Sequence, residues 1–451
     1  MGLLVEFRPK AAFGSIPGEE RRTAAVEEID GALRALARRR QAWDALPLSG
    51  RSELLDEVIA GTAAVAPRWV AGECERKHVS WGSSVAGEEW WNGPWCALHA
   101  ARRLRAELTK SEPEGRAAGR GDVATVHRTD TVSSVPFVET IETLFGEGQP
   151  VLLQVSTGSL ALVLDRALRP VVDQGYVRIV TGEPVTEAGS VTPVIVVPGD
   201  WSEADFERQA RVIATMLTHG ASYEPGAARL LITDRGWRGR ERLLAALREV
   251  LRGVPNRFAF HPGAQGRFAR CMQAHPDIEL LGKGHWGSLP WGLITNLDPC
   301  REDPALTTDP FTPILSETSL NSSSIADFVD RAVAFCNERV SGTLVATVIA
   351  DPRGSRYPST ATALQRGIER LDYRMVTINL PPFVGLVYGH RGREAGQHGT
   401  TVIRGAFRSI TKPPWLVTHS RSHDVFRRLV RYEAAPSMTQ VPAIIWHSIR
   451  G

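Results

Sequence analysis

An ordered alternation of apolar runs and amphipathic stretches limits what this chain can fold into more than any other feature. "TPVIVVPG" (192–199) reads as a strand buried on both faces. "SEADFERQARVIATMLTHG" follows with helical periodicity, with Ser202 as N-cap, Asp205 three residues on and Gly220 at its end. "ARLLIT" is the next strand, "GRERLLAALREVLRG" the next helix, and "SSSIADFVDRAVAFCNERVSGTLVATVIAD" a helix running into a strand. Strands separated by helices force parallel pairing with crossover connections, so this region is an α/β unit.

The same grammar occurs earlier. "DVATVHRTDTVSSVP" alternates like a strand, "FVETIETLFGEGQ" is a short helix and "PVLLQVS" a buried strand. "SLALVLDRALRPVVDQG" is a helix stopped at Gly175, and "YVRIVTG" is a further strand. Two helices precede this unit, one placing Val26, Ile29, Leu33, Leu36 and Trp43 near one face, the other "SELLDEVIAGTAAVAPRWVAGEC". "WGSSVAGEEWWNGPW" is dense in Trp and reads as packing between helices. "KSEPEGRAAGRG" is a polar connector. The expected organisation is a curtailed, Rossmann-like cofactor-type domain with N-terminal helices over 1–186, a second α/β domain over 187–379, and a C-terminal return and oligomerisation segment over 380–451.

Composition excludes some function classes. With 53 basic and 50 acidic side chains the net charge is +3, too small a field to point to nucleic acid or a membrane surface. No apolar run is long enough to span a bilayer, and "MGLLVEFRPK" lacks the pattern of a secretory leader. The five cysteines (74, 96, 271, 300, 336) have no C-x-x-C spacing, which suits a reducing cytoplasm. Cys336 reads as helix core, and Cys271 lies in a helical stretch with no neighbouring base at readable spacing. Metal-binding, P-loop, nucleophile-elbow and G-x-G-x-x-G patterns are absent.

The element order, with "TEAGSVTPVIVVPGDWSEADF", "AVAFCNERVSGTLVATVI" and "MVTINL", resembles the aldehyde dehydrogenase superfamily, in a bacterial branch. Glu187, Gly189, Pro193 and Ile195 fit the opening of that family's catalytic domain, and Asn379 falls at its Ile-Asn position. The resemblance implies NAD or NADP as cofactor, a small-molecule aldehyde as substrate, and a homodimer. It also implies a thiolate nucleophile, an oxyanion-binding Asn, a Glu general base and a ribose-binding Lys.

Residue by residue, this chain departs from that set. In "THGASYEPGA" Pro225 stands in the nucleophile's place, or Tyr223 in the alternative register. Thr131 replaces the oxyanion Asn, and Gln154 replaces the Lys, with Ser156 and Gly189 the other implied cofactor contacts. From "YVRIVTG" the chain runs directly through "EPV" to Glu187, with no room for the family's next helix, strand and pyrophosphate turn. Glu187 survives as a relic general base. Tyr223 and Glu224 are the remaining reactive groups, with His219 four residues before Tyr223. The expectation is a degenerate member, inactive or vestigial in NAD(P)-dependent aldehyde oxidation. The alternative is an oxidoreductase with a non-thiol or relocated site.

Overall fold

A computed structural model describes residues 29–110, 125–129, 134–155, 158–181, 190–354, 357–388, 394–395, 400–408 and 413–450. The chain divides into two compact units. The first takes 1–61, 103–130 and 135–185; the second takes 62–102, 131–134 and 186–451. The sequence suggests that all the N-terminal helices belong with the first sheet, and here the structure corrects it. Residues 62–102 pack with the second unit, because the Trp-rich face of that stretch is buried against the helix Ser422–Ala434.

The first unit holds a parallel sheet in the order β1-β2-β3, with β1 Thr125–Thr129, β2 Val151–Val155 and β3 Val177–Thr181. The helices Gly158–Ala167 and Arg169–Asp173 link β2 to β3. Trp43 anchors its core, edge-on to Phe145 at 5.2 Å and to Tyr176 at 4.9 Å.

Among the described residues the second unit has a sheet of nine strands. These are β4 Thr192–Val196, β5 Ala228–Asp234, β7 Glu279–Leu281, β9 Trp291–Leu297, β10 Ile314–Leu320, β11 Val345–Ile349, β12 Met375–Ile378, β13 Glu394–Ala395 and β14 Thr401–Arg404. A separate pair, β6 Arg257–Phe258 and β8 Ser288–Leu289, lies outside that sheet. The order is β13-β14-β12-β11-β4-β5-β10-β9-β7, parallel except at its two edges. Ile195 lies opposite Ile232 on one side and Val348 on the other. Every position of β4, β5, β10, β11 and β12 is buried, which is why most of those segments read as continuous runs. Within 380–451, β14 pairs with β12 and extends the same sheet.

Two of the strands, β9 and β10, are not visible as apolar runs. β10 reads "ILSETSL", and its Glu317 is fully buried. Its charge is held by Arg240 at 2.7 and 2.9 Å, by the Asn296 N–H at 3.1 Å and by the Thr233 hydroxyl at 2.5 Å. Such compensation makes a buried carboxylate tolerable. Among the described residues no helix is long and apolar enough to cross a membrane.

Candidate active site

The helix Glu203–Thr218 fixes the position of the loop that follows it. Its start is locked by a capping box, the Asp205 N–H donating to Ser202 Oγ at 3.3 Å and the Ser202 N–H donating to Asp205 at 2.9 Å. Its end turns sharply. Gly220, Ala221 and Ser222 all take left-handed φ, at 57°, 57° and 71°. Each non-glycine residue in that region costs about 1–2 kcal/mol, so the turn must be held from outside. At Gly220 a Cβ would run into the Glu224 side chain, which folds back over it.

Arg229, on β5, does the holding. It is buried, donates to Ser222 Oγ at 2.6 Å, to the Ser222 carbonyl at 2.5 Å and to the Thr312 carbonyl at 3.0 Å, and pairs with Asp309 at 2.7 Å. On the other side the Gly220 N–H donates to Glu88 Oε2 at 3.1 Å. The Ser222 hydroxyl is thus committed to structure, and Pro225 sits exposed on the loop.

The groups that could replace a thiol are occupied. Tyr223 is buried, edge-on to Phe260 at 4.8 Å and stacked on His261 at 5.4 Å. Burial pushes its hydroxyl up to about 12, so it stays protonated at neutral pH. His219 does not turn toward Tyr223. Its Nε2 bonds Asn92 Oδ1 at 2.8 Å, and its ring lies flat on Phe383 at 3.8 Å. Burial first, then the Lys77 charge, press His219 down to about 3, leaving a neutral imidazole. Half-buried Glu224 is raised above the ordinary carboxylate value, again by burial first.

Behind the loop lies a charged cluster that the sequence does not announce. Lys77 is buried and bonds Glu89 at 2.8 Å, with Glu73 at 3.9 Å. Burial opposes the Lys77 charge, but Glu89 and Glu73 outweigh it and raise its pKa. Arg257, from β6, meets Glu88 at 3.2 Å. Glu88, Glu89 and Asn92 all come from "GEEWWNGPW", where the indoles mask them: Trp90, Trp91 and Trp95 pack as core, as expected. Two carboxylates and an amide in an otherwise apolar helix were the available signal.

No thiol occupies the corner. Cys74 lies within the field of Glu89 and Lys77, yet burial pushes it to about 12. Burial likewise raises Cys96, against a hydrogen bond from Ser134. Neither can be a thiolate near neutrality. The cavity beside Glu88, Trp91 and His219 measures about 20 Å³. That admits about one water and no aldehyde carbon chain.

The described part of the first unit has fewer strands than a dinucleotide-binding sheet. A dinucleotide binds at a switch point where strands diverge on either side of a central one. Among the described residues only β1-β2-β3 is present, with no strand across β1. The chain leaves β3 at Thr181 and enters β4 at Thr192, in the other sheet. A further helix and strand need more residues than that. Gln154 sits half-buried on β2, opposite Val180 of β3. Thr131, Ser156, Glu187 and Gly189 lie outside the described residues. The Asn379 side chain ties two strand ends together, accepting from the Ala350 N–H at 2.9 Å and donating to the Ala350 carbonyl at 3.0 Å.

No family model matches the chain, and no curated protein does. Solved structures do. NAD-dependent aldehyde dehydrogenase from Sinorhizobium meliloti is 19% identical, covering 78% of this chain and 80% of that one, with a TM-score of 0.58. Lactaldehyde dehydrogenase from Escherichia coli is 13% identical over 79% and 83%, with a TM-score of 0.60. Gamma-glutamyl-gamma-aminobutyraldehyde dehydrogenase from Burkholderia cenocepacia is 16% identical over 78% and 81%, also at 0.60. The chain has the α/β fold of these proteins.

Proposed function

We propose that the chain is a member of the aldehyde dehydrogenase superfamily that no longer oxidises aldehydes. The observation that carries this reading is the loop after the helix Glu203–Thr218: a left-handed turn clamped by Arg229, an exposed Pro225 and no sulfur, with a cavity of about 20 Å³ at His219 and Glu88. Losing the nucleophile of such a site costs on the order of 10⁶ in rate. In this reading Pro225 is the vacated nucleophile position, Thr131 the vacated oxyanion position, Gln154 the vacated Lys position and Glu187 a relic base. In this reading the protein serves in the cytoplasm without catalysis, as a non-catalytic subunit, a small-molecule binder or a decaying paralogue, and a homodimer belongs to the same reading.

The alternative, an oxidoreductase using Tyr223, Glu224 and Glu187, has less support. Its candidate nucleophile is protonated and stacked, and its base lies outside the described residues. The deciding experiment is an assay of purified protein with NAD⁺ or NADP⁺ against a panel of aldehydes, alongside dinucleotide titration read by Trp fluorescence. No turnover above a blank and no saturable quenching is expected. Either signal would overturn the proposal.

A further inference from the structure

A second cavity of about 320 Å³ opens in the larger unit, between the helix Ala264–Ala274, the segment around Pro304–Pro310 and the strands β5, β9 and β10. Its size falls within the range of small-molecule sites. It shares one residue with the loop corner, Arg229, which forms part of its lining together with its partner Asp309.

The walls are apolar. Ile294 and Ile314 come from β9 and β10, and Ala274 and Ala305 from the covering elements. The charge is unbalanced. Three guanidiniums (Arg229, Arg267, Arg270) line the cavity against one lining carboxylate, Asp309, which Arg229 already uses. Arg267 donates to the Pro310, Pro262 and Phe311 carbonyls at 2.9, 2.8 and 3.0 Å and bonds His261 Nδ1 at 2.9 Å, and no carboxylate lies within ion-pair distance among the described residues. Burial lowers its pKa from the ordinary guanidinium value. Arg270, exposed at the rim, has no salt bridge among the described residues either. A half-open, largely apolar space with excess positive charge suits a ligand with an aliphatic body and one anionic end.

We propose that this cavity binds a straight-chain aliphatic carboxylate such as decanoate, its chain between Ile294, Ile314 and Ala274 and its carboxylate against Arg270 and the neighbouring Arg267. Cys271 lines the same cavity and serves as a built-in reporter.

The test uses the full chain with Cys300→Ser, which removes the exposed thiol. Decanoate is titrated calorimetrically, and the rate of N-ethylmaleimide reaction at Cys271 is followed by mass spectrometry. Saturable binding and a slower Cys271 reaction are expected. Arg270→Gln weakens decanoate binding about fivefold, the loss of one exposed charge contact. Decanol binds at least about tenfold more weakly than decanoate. Ala274→Trp, at an exposed helix position, removes both binding and protection while circular dichroism stays unchanged. Three results overturn the proposal: no saturable binding up to millimolar decanoate, equal binding of decanol, or protection of Cys271 that survives Ala274→Trp. If Ala274→Trp fails to fold, Arg270→Gln and the decanol comparison still decide.

Discussion

Arg229 donates to Ser222 twice, to its hydroxyl at 2.6 Å and its carbonyl at 2.5 Å, and so fixes the turn that presents Pro225. The same guanidinium neutralises Asp309, itself buried. Arg229→Met should therefore destabilise the protein by about 3–5 kcal/mol, because it leaves a buried carboxylate without its counter-charge. Urea unfolding followed by Trp fluorescence measures this. A loss below about 1 kcal/mol, the worth of a surface pair, would show that the clamp is not structural.

The Lys77–Glu89 pair obeys the same logic and allows a cleaner test. Lys77→Met alone should cost about 3–5 kcal/mol. Adding Glu89→Leu should restore most of that, since a matched apolar pair avoids burying charge at all. A double variant no more stable than Lys77→Met would mean that Glu89 has other partners.

Acid should weaken the fold through His219. Its folded value of about 3 lies below the unfolded 6.5, so the unfolded chain binds the proton first. The stabilisation is complete above pH 6.5 and is lost as the pH falls toward 3. Glu73 and Glu224, whose values are raised, act in the opposite direction on acidification. Comparison with His219→Gln isolates the imidazole. The advantage of the native protein over that variant should shrink by about 2 kcal/mol between about pH 7 and about pH 5. A constant difference across that window would contradict a buried neutral His219.

Restoring sulfur should not restore chemistry. Pro225→Cys places a thiol on an exposed loop, so rapid alkylation is expected. No NAD⁺-dependent aldehyde oxidation should accompany it, because position 225 is exposed, lines none of the cavities described above, and the first unit lacks a switch point among its described residues. Turnover in this variant would show that the cofactor site survives.

The native thiols should react in a fixed order: Cys300 quickly, Cys271 slowly, and Cys74, Cys96 and Cys336 only after denaturation. Mass spectrometry after timed exposure to an alkylating reagent reads the order directly. Rapid labelling of Cys74 or Cys96 would place an accessible sulfur near Glu89 and Glu224.

Local chemistry made much of the fold legible. β4, β5 and β11 are apolar at most positions because both faces of a parallel sheet are covered, and the Ser202–Asp205 cap was visible as a four-residue pattern. β9 and β10 were not visible. In β10, Ser316, Glu317, Thr318 and Ser319 are polar yet buried, and it takes Arg240, 77 positions away in the chain, to make Glu317 admissible there. Ionic compensation across the fold leaves no periodicity in a single strand.

The site shows the same division. That no Cys occurs in "GASYEPGA" is a property of the sequence, and so is the short passage from β3 to β4. Tertiary structure alone decided that His219 bonds Asn92 instead of turning to Tyr223, and that Arg229 immobilises Ser222. It also left about 20 Å³ beside His219 and about 320 Å³ on the far side of Arg229. Residue identity fixes which reactions a side chain can perform. Contacts between segments distant in the chain fix its protonation, its partner and its room to act.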